Sequence, residues 1–218
     1  MSIAEHQNQA ERLLRDAGIL PIVTVDSIDQ ARRLADALLA GGLRSIELTL
    51  RTPVALEALA ALKKSLPEIV IGAGTVLTEA QIRGSMDAGA DFLVTPGTPA
   101  ALADALAKAP LPVVPGAATP TELLSLMARG FRVCKLFPAT AVGGLAMIRG
   151  LAAPLSGLKL CPTGGIGEKD AAEYLSQPNV VCIGGSWMVA KEWLAAGNYA
   201  KISESAARAV AVVKARAA

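Results

Sequence analysis

Histidine is almost missing from this chain. His6 is the only one in 218 residues and lies in a polar N-terminal segment, so histidine-based metal centres and histidine triads are nearly excluded as sources of chemistry. Aromatic side chains are scarce, with three phenylalanines, two tyrosines and two tryptophans. Since 52% of the residues are hydrophobic, the core has to be mostly aliphatic. Charge of either sign is also in short supply: 21 Lys and Arg stand against 19 Asp and Glu, a net +2, scattered rather than blocked. Neither a basic stripe nor a row of stacking aromatics is present, which argues against a nucleic-acid partner. No apolar stretch approaches the ~18 residues of a membrane span. The N-terminus carries acids and amides instead of a basic region followed by an apolar one, so no leader and no membrane partner are expected. Cys134, Cys161 and Cys182 are odd in number, lack metal-ligand spacing and sit in apolar runs. They are expected to be buried, reduced thiols of a cytoplasmic protein.

What the chain does have is a repeated phrase: a helical run ending in glycine, a short apolar strand, then a threonine-proline pair. Gly41-Gly42 precedes Ser45–Leu50 and Thr52-Pro53, Gly89 precedes Asp91–Thr95 and Thr98-Pro99, and Thr119-Pro120 opens a run that stops at Gly130 before Arg132–Phe137. Threonine can cap a free amide, proline fits the first helical position, and glycine permits a left-handed exit. These pairs are therefore expected to open helices. Further strands are expected at Ile19–Val25, Ile69–Thr75, Leu111–Pro115, Leu158–Thr163 and Val180–Ile183, with capping boxes at Ser27/Gln30 and Thr78/Gln81. Eight strands in 218 residues leave about 27 residues per unit, enough for a strand, a helix and two loops joined by right-handed crossovers. The expected fold is α/β, a TIM (β/α)8 barrel spanning 1–218 as one domain. An additional helix over 1–18, with Ser2 and Glu5 as a capping box, is expected to cover the barrel's N-terminal end. A doubly wound sheet is the runner-up, but G-x-G-x-x-G is missing after the first strand.

Barrel strands alternate between the helices and the axis, so polar residues at period two mark inward positions. In the second strand Ser45, Glu47, Thr49 and Arg51 share a face, and in the sixth Lys135 shares one with Val133 and Phe137. Ala73 and Thr75 share a face of the third strand, and Cys161 and Thr163 one of the seventh. These polar positions gather at the strands' C-terminal ends, where such barrels build active sites. An inward Glu47–Lys135 pair also fits a structural ion pair of the core, although apolar residues would pack as well without burying charge. Glu47, Arg51 and Lys135 make two cations to one anion, which suits an anionic ligand. A desolvated lysine near another cation gives up its proton more readily and becomes an amine able to form Schiff bases with ketones. Lys159 is the competing lysine but enters at the N-terminal end of its strand. Gly164-Gly165 and Gly184-Gly185-Ser186 follow the last two strands, the usual place for a phosphate cradle in this fold, though tight turns alone would also explain them.

The motifs Ile46-Glu47-Leu48-Thr49-Leu50-Arg51-Thr52, Gly72-Ala73-Gly74-Thr75-Val76-Leu77, Lys135-Leu136-Phe137-Pro138-Ala139, Cys161-Pro162-Thr163-Gly164-Gly165-Ile166 and Gly184-Gly185-Ser186-Trp187 are specific. On them, over nearly its whole length, the chain resembles the class I 2-keto-3-deoxy-6-phosphogluconate (KDPG) and 4-hydroxy-2-oxoglutarate (KHG) aldolases. The resemblance implies that Lys135 is the Schiff-base lysine and Glu47 the general acid/base. It also implies that Arg51 and Thr75 hold the pyruvyl carboxylate, that Phe137 and Pro96 line the pocket, and that Gly164, Gly165, Gly185 and Ser186 bind phosphate. Thr163 resembles the gluconate version of the family rather than the related galactonate-phosphate enzymes. A homotrimer is implied and no cofactor or metal. Outside that resemblance, the residues remain compatible with a sugar-phosphate isomerase or epimerase, or with a non-catalytic phosphate-binding protein.

Overall fold

The helical and apolar runs fold as the alternation requires. The computed structural model of the chain describes residues 2–217; Met1, inside the first helix expected from sequence, lies outside the described residues, as does Ala218. Helix α1 (Ile3–Ala17) is followed by β1 (Ile19–Val23), α2 (Ile28–Ala40), β2 (Ser45–Thr49), α3 (Ala55–Ser65), β3 (Val70–Gly74), α4 (Glu79–Asp87), β4 (Phe92–Val94) and α5 (Ala100–Leu106). Then come β5 (Val113–Val114), β6 (Gly116–Ala117), α6 (Pro120–Met127), β7 (Val133–Leu136), α7 (Gly144–Ala152), β8 (Lys159–Pro162), α8 (Ala171–Leu175), β9 (Ile183–Gly185), a 3-10 turn (Trp187–Val189), α9 (Lys191–Ala195) and α10 (Tyr199–Ala217).

The strands hydrogen-bond in the order β5-β4-β3-β2-β1-β9 and β6-β7-β8, every pair parallel. Two junctions close the ring into a (β/α)8 barrel. Bridges Leu160↔Val180 and Thr163↔Gly184 join β8 to β9, while β5 and β6 are two arms of one barrel position interrupted at Pro115. Proline has no N–H for a ladder, and the chain turns there from pairing with β4 to pairing with β7, whose Lys135 amide donates to the Pro115 carbonyl at 2.9 Å.

The barrel axis is apolar at one end. Leu20, Phe92, Val94, Val114, Val133, Cys161, Val181 and Cys182 form a buried cluster with Ala10 and Leu14 of α1. The helix is seated by Gln7, whose side chain donates to the Val113 carbonyl at 2.8 Å and accepts from the amides of Arg132 and Val133 at 2.8 and 2.9 Å. The Ser2/Glu5 capping box starts α1. A larger aliphatic core lies between the barrel and its helices.

Several local expectations are corrected. Thr119 caps α6 with Glu122 in a full box, but Thr52 and Thr98 cap nothing. Their hydroxyls donate to the carbonyls of Val25 at 2.7 Å and Gly116 at 2.8 Å, tying neighbouring barrel loops together instead. Ser27 and Thr78 do cap α2 and α4, yet Gln30 and Gln81 accept from the amides of Asp26 and Leu77, one residue beyond the cap. The last strand is Ile183–Gly185 rather than Val180–Ile183. Glycine is a poor strand former, but a Cβ at Gly184 would collide with the Thr163 side chain and one at Gly185 with the Trp187 ring. Close packing therefore puts the glycines inside the strand instead of after it.

Candidate active site

Above the apolar plug, the barrel axis turns charged. Glu47 leaves β2 toward the axis and Lys135 leaves β7 the same way, each 5% exposed or less. The Lys135 Nζ donates to Glu47 Oε1 at 2.9 Å and Oε2 at 3.2 Å. Alternation along both strands produces this meeting. Leu136 and Cys134 face the helices, whereas Val133, on the same face as Lys135, joins the axial cluster. Removing two charges from water costs several kcal/mol per ion, and an ion pair repays this poorly compared with apolar packing, so a pair kept in this position calls for a reason other than stability.

Room for the Glu47 carboxyl comes from β3. A Cβ at Gly74 would overlap the Glu47 carboxylate, and one at Gly72 would enter the Phe92 ring. Gly72 and Gly74 are therefore the inward positions of this strand, while Ala73 packs against the helices. This corrects the expected inward row of Ala73 and Thr75. Two glycines carry no polarity to reveal their facing, and Thr75 lies beyond the strand with φ 58, where alternation no longer applies. For a β-branched residue a left-handed backbone is strained and persists only where the surroundings impose it. It brings the Thr75 hydroxyl to accept from Arg51 Nε at 3.3 Å.

A cavity of about 720 Å³ opens at the C-terminal ends of the strands. Its wall carries Arg51, Phe137, Thr163, Gly164, Gly165, Gly185 and Ser186 from the sequence-derived set. Glu47 and Lys135 are buried and not part of this wall, but the wall residue Phe137 has its ring centroid 5.4 Å from the Lys135 ammonium. Thr75 joins through Arg51. Pro96 does not line the cavity; its backbone packs where a Cβ on Gly116 would go. Gly164 and Gly165 have φ of 100 and 80, a left-handed pair open to glycine. Lys159, the competing lysine, instead donates to the Pro178 carbonyl at 3.4 Å on the exposed side.

Sequence reasoning passed over Thr24, Asp26 and Lys191, all on the cavity wall. Thr24 continues at period two the inward row of Leu20 and Ile22, and its hydroxyl pairs with that of Thr49 on β2 at 2.7 Å. Asp26 lies in a loop and Lys191 at the first position of the short α9, where no strand periodicity reaches. Among the described residues, no three or more His, Cys, Asp or Glu side chains are grouped to hold a metal ion. Chemically, the arrangement offers a buried amine in contact with a carboxylate, with cationic and glycine-rich walls above it.

Comparison with known proteins fits this geometry. The family model for KDPG and KHG aldolases matches residues 10–205. The KHG/KDPG aldolase of Escherichia coli K12 is 40% identical over 204 residues, covering 94% of this chain and 96% of that protein. The 2-dehydro-3-deoxy-phosphogluconate aldolase of Dickeya dadantii is 38% identical over 205 residues, with the same coverages of 94% and 96%. Among solved structures, KDPG aldolase from Legionella pneumophila, with pyruvate captured as a covalent carbinolamine, superposes with a TM-score of 0.89. It is 39% identical, covering 91% of this chain and 97% of that one.

Proposed function

The chain belongs to the KDPG and KHG aldolase family, and from that membership we propose a class I aldolase that cleaves 2-dehydro-3-deoxy-6-phosphogluconate to pyruvate and glyceraldehyde 3-phosphate. Cleavage of 4-hydroxy-2-oxoglutarate to pyruvate and glyoxylate is proposed alongside. The observation that carries the reading is the Lys135–Glu47 contact at 2.9 Å beneath the cavity, a buried amine with its own proton acceptor.

The chemistry follows from those two groups. The neutral Lys135 amine adds to the C2 ketone, and Glu47 passes the protons needed to expel the C2 hydroxyl as water, leaving an iminium. Glu47 next takes the C4 hydroxyl proton. The C3–C4 bonding electrons move to the iminium nitrogen, the aldehyde departs, and an enamine of pyruvate remains on Lys135. Protonation at C3 and hydrolysis release pyruvate and restore the amine. The Arg51 guanidinium and the Thr75 hydroxyl are assigned to the substrate carboxylate, Thr163 to the C4 hydroxyl, and Phe137 to the pocket lining. Gly164, Gly165, Gly185 and Ser186 are assigned to the phosphate.

The whole chain is taken as one catalytic barrel of a cytoplasmic homotrimer, a state that sedimentation would test. No helix among the described residues is long and apolar enough to cross a membrane. Coupled assay of pyruvate release from the phosphogluconate derivative, with EDTA present, tests the activity. Release at an undiminished rate is expected. No release, or release only when metal is restored, would overturn the assignment.

A further inference from the structure

The two cations on the cavity wall, Arg51 and Lys191, are both left without a carboxylate. Several arginines elsewhere on the surface are ion-paired, as in Arg32–Asp36 at 3.2 Å and Arg208–Glu168 at 2.7 Å. Arg51 bonds only the Thr75 hydroxyl, and the exposed Lys191 makes no hydrogen bond or ion pair among the described residues. Among the described residues, the only acid on the wall is Asp26. Arg51 follows β2 and Lys191 follows β9, with β1 between them. Two interstrand spacings of ~4.8 Å separate the ends of β2 and β9 by roughly 10 Å. On the Lys191 side the wall is the backbone of Gly184, Gly185 and Ser186, and then Val189 and Ala190. The intervening 3-10 turn of three residues, Trp187–Val189, advances only about 6 Å, within reach of a lysine side chain.

Resting on the aldolase reading above, we propose that Lys191 is a specificity-determining residue, a cation that pairs with the phosphate of the substrate held by Gly165, Gly185 and Ser186. An exposed ammonium facing a dianion supplies ground-state binding that is equal before and during bond cleavage. Its removal should thus be felt in KM rather than kcat.

The test measures kcat and KM for phosphorylated and unphosphorylated 2-keto-3-deoxygluconate in the wild type and in Lys191→Ala, Lys191→Glu and Lys191→Arg. The expected result for Lys191→Ala is a preference for the phosphorylated substrate reduced about five- to tenfold, carried by KM. Lys191→Glu should lose more and Lys191→Arg should keep most of it. The wild-type preference should weaken at high salt and that of Lys191→Ala much less. An unchanged preference in both Lys191→Ala and Lys191→Glu overturns the proposal, as does an equal loss on both substrates, which would mean a structural role. A wild type that releases no pyruvate from either substrate would instead fault the aldolase reading itself.

Discussion

Gly74→Ala tests the geometry of the site without touching a charged group. The added Cβ would lie 2.5 Å from Glu47 Cγ and 2.8 Å from Cδ, and closer still to Oε1. Restoring ordinary contact at ~3.5 Å requires a retreat of about 1 Å. Glu47 Oε1 starts 2.9 Å from the Lys135 ammonium, so a shift of that size is enough to break the contact. A displacement of that size in a proton-transfer group costs on the order of 10²-fold in turnover. Overpacking at a buried site costs about 1–3 kcal/mol, which in a chain of this size lowers the melting temperature by roughly 2–4 °C per kcal/mol. The variant should therefore fold at assay temperature. Gly150→Ala is the control: nothing lies within 4 Å of its added Cβ, in the middle of α7, so activity should hold and stability should rise by ~0.5–1 kcal/mol. Steady-state pyruvate release and thermal melts read both variants. A folded Gly74→Ala enzyme with wild-type kcat would refute the placement of Glu47 as the proton carrier.

Four further outcomes follow from the same structure. Glu47→Gln should depress turnover far more than it weakens pyruvate binding, measured by kinetics and by pyruvate titration; equal losses would favour a structural ion pair. Thr119→Ala should cost about 1 kcal/mol in denaturant unfolding through the lost α6 cap. The Ala118 amide, together with the Thr119 hydroxyl and amide, holds the Glu122 carboxyl below the usual carboxylate range against a smaller opposing effect of burial. A depressed folded-state value contributes stability above the unfolded value and loses it as pH falls through the folded one, so the deficit of Glu122→Gln in melts should shrink on acidification. Burial pushes the Cys134 and Cys182 thiols up, and all three cysteines are buried. A disulfide-exchange reagent should then modify them only on unfolding, and fast labelling of the native protein would contradict this.

Much of the barrel was legible because its signals are periodic. Glu47 and Lys135 stand out as charges on inward faces, Glu47 among Ser45, Thr49 and Arg51 and Lys135 among Val133 and Phe137. The parts that were not legible lack such a signal. Gly72 and Gly74 have no side chain to betray their facing, and the room they leave is visible only once Glu47 and Phe92 occupy it. Threonine-proline pairs are ambiguous since the same hydroxyl can cap its own helix, as in Thr119, or reach a carbonyl of the adjacent loop, as in Thr52 and Thr98. The final strand slid by about two residues for a tertiary reason, the close approach of Thr163 and Trp187 to its glycines. Asp26, in a loop, and Lys191, at the start of α9, reach the cavity from segments that only the folded chain brings there.

The most direct measurement is borohydride reduction of the protein in the presence of pyruvate, followed by intact mass and peptide mapping. One pyruvate-derived adduct per chain is expected, carried by the peptide that contains Lys135 and absent from Lys135→Ala. An unchanged intact mass, or an adduct on Lys159 or Lys191, would contradict the Schiff-base role assigned to the buried amine.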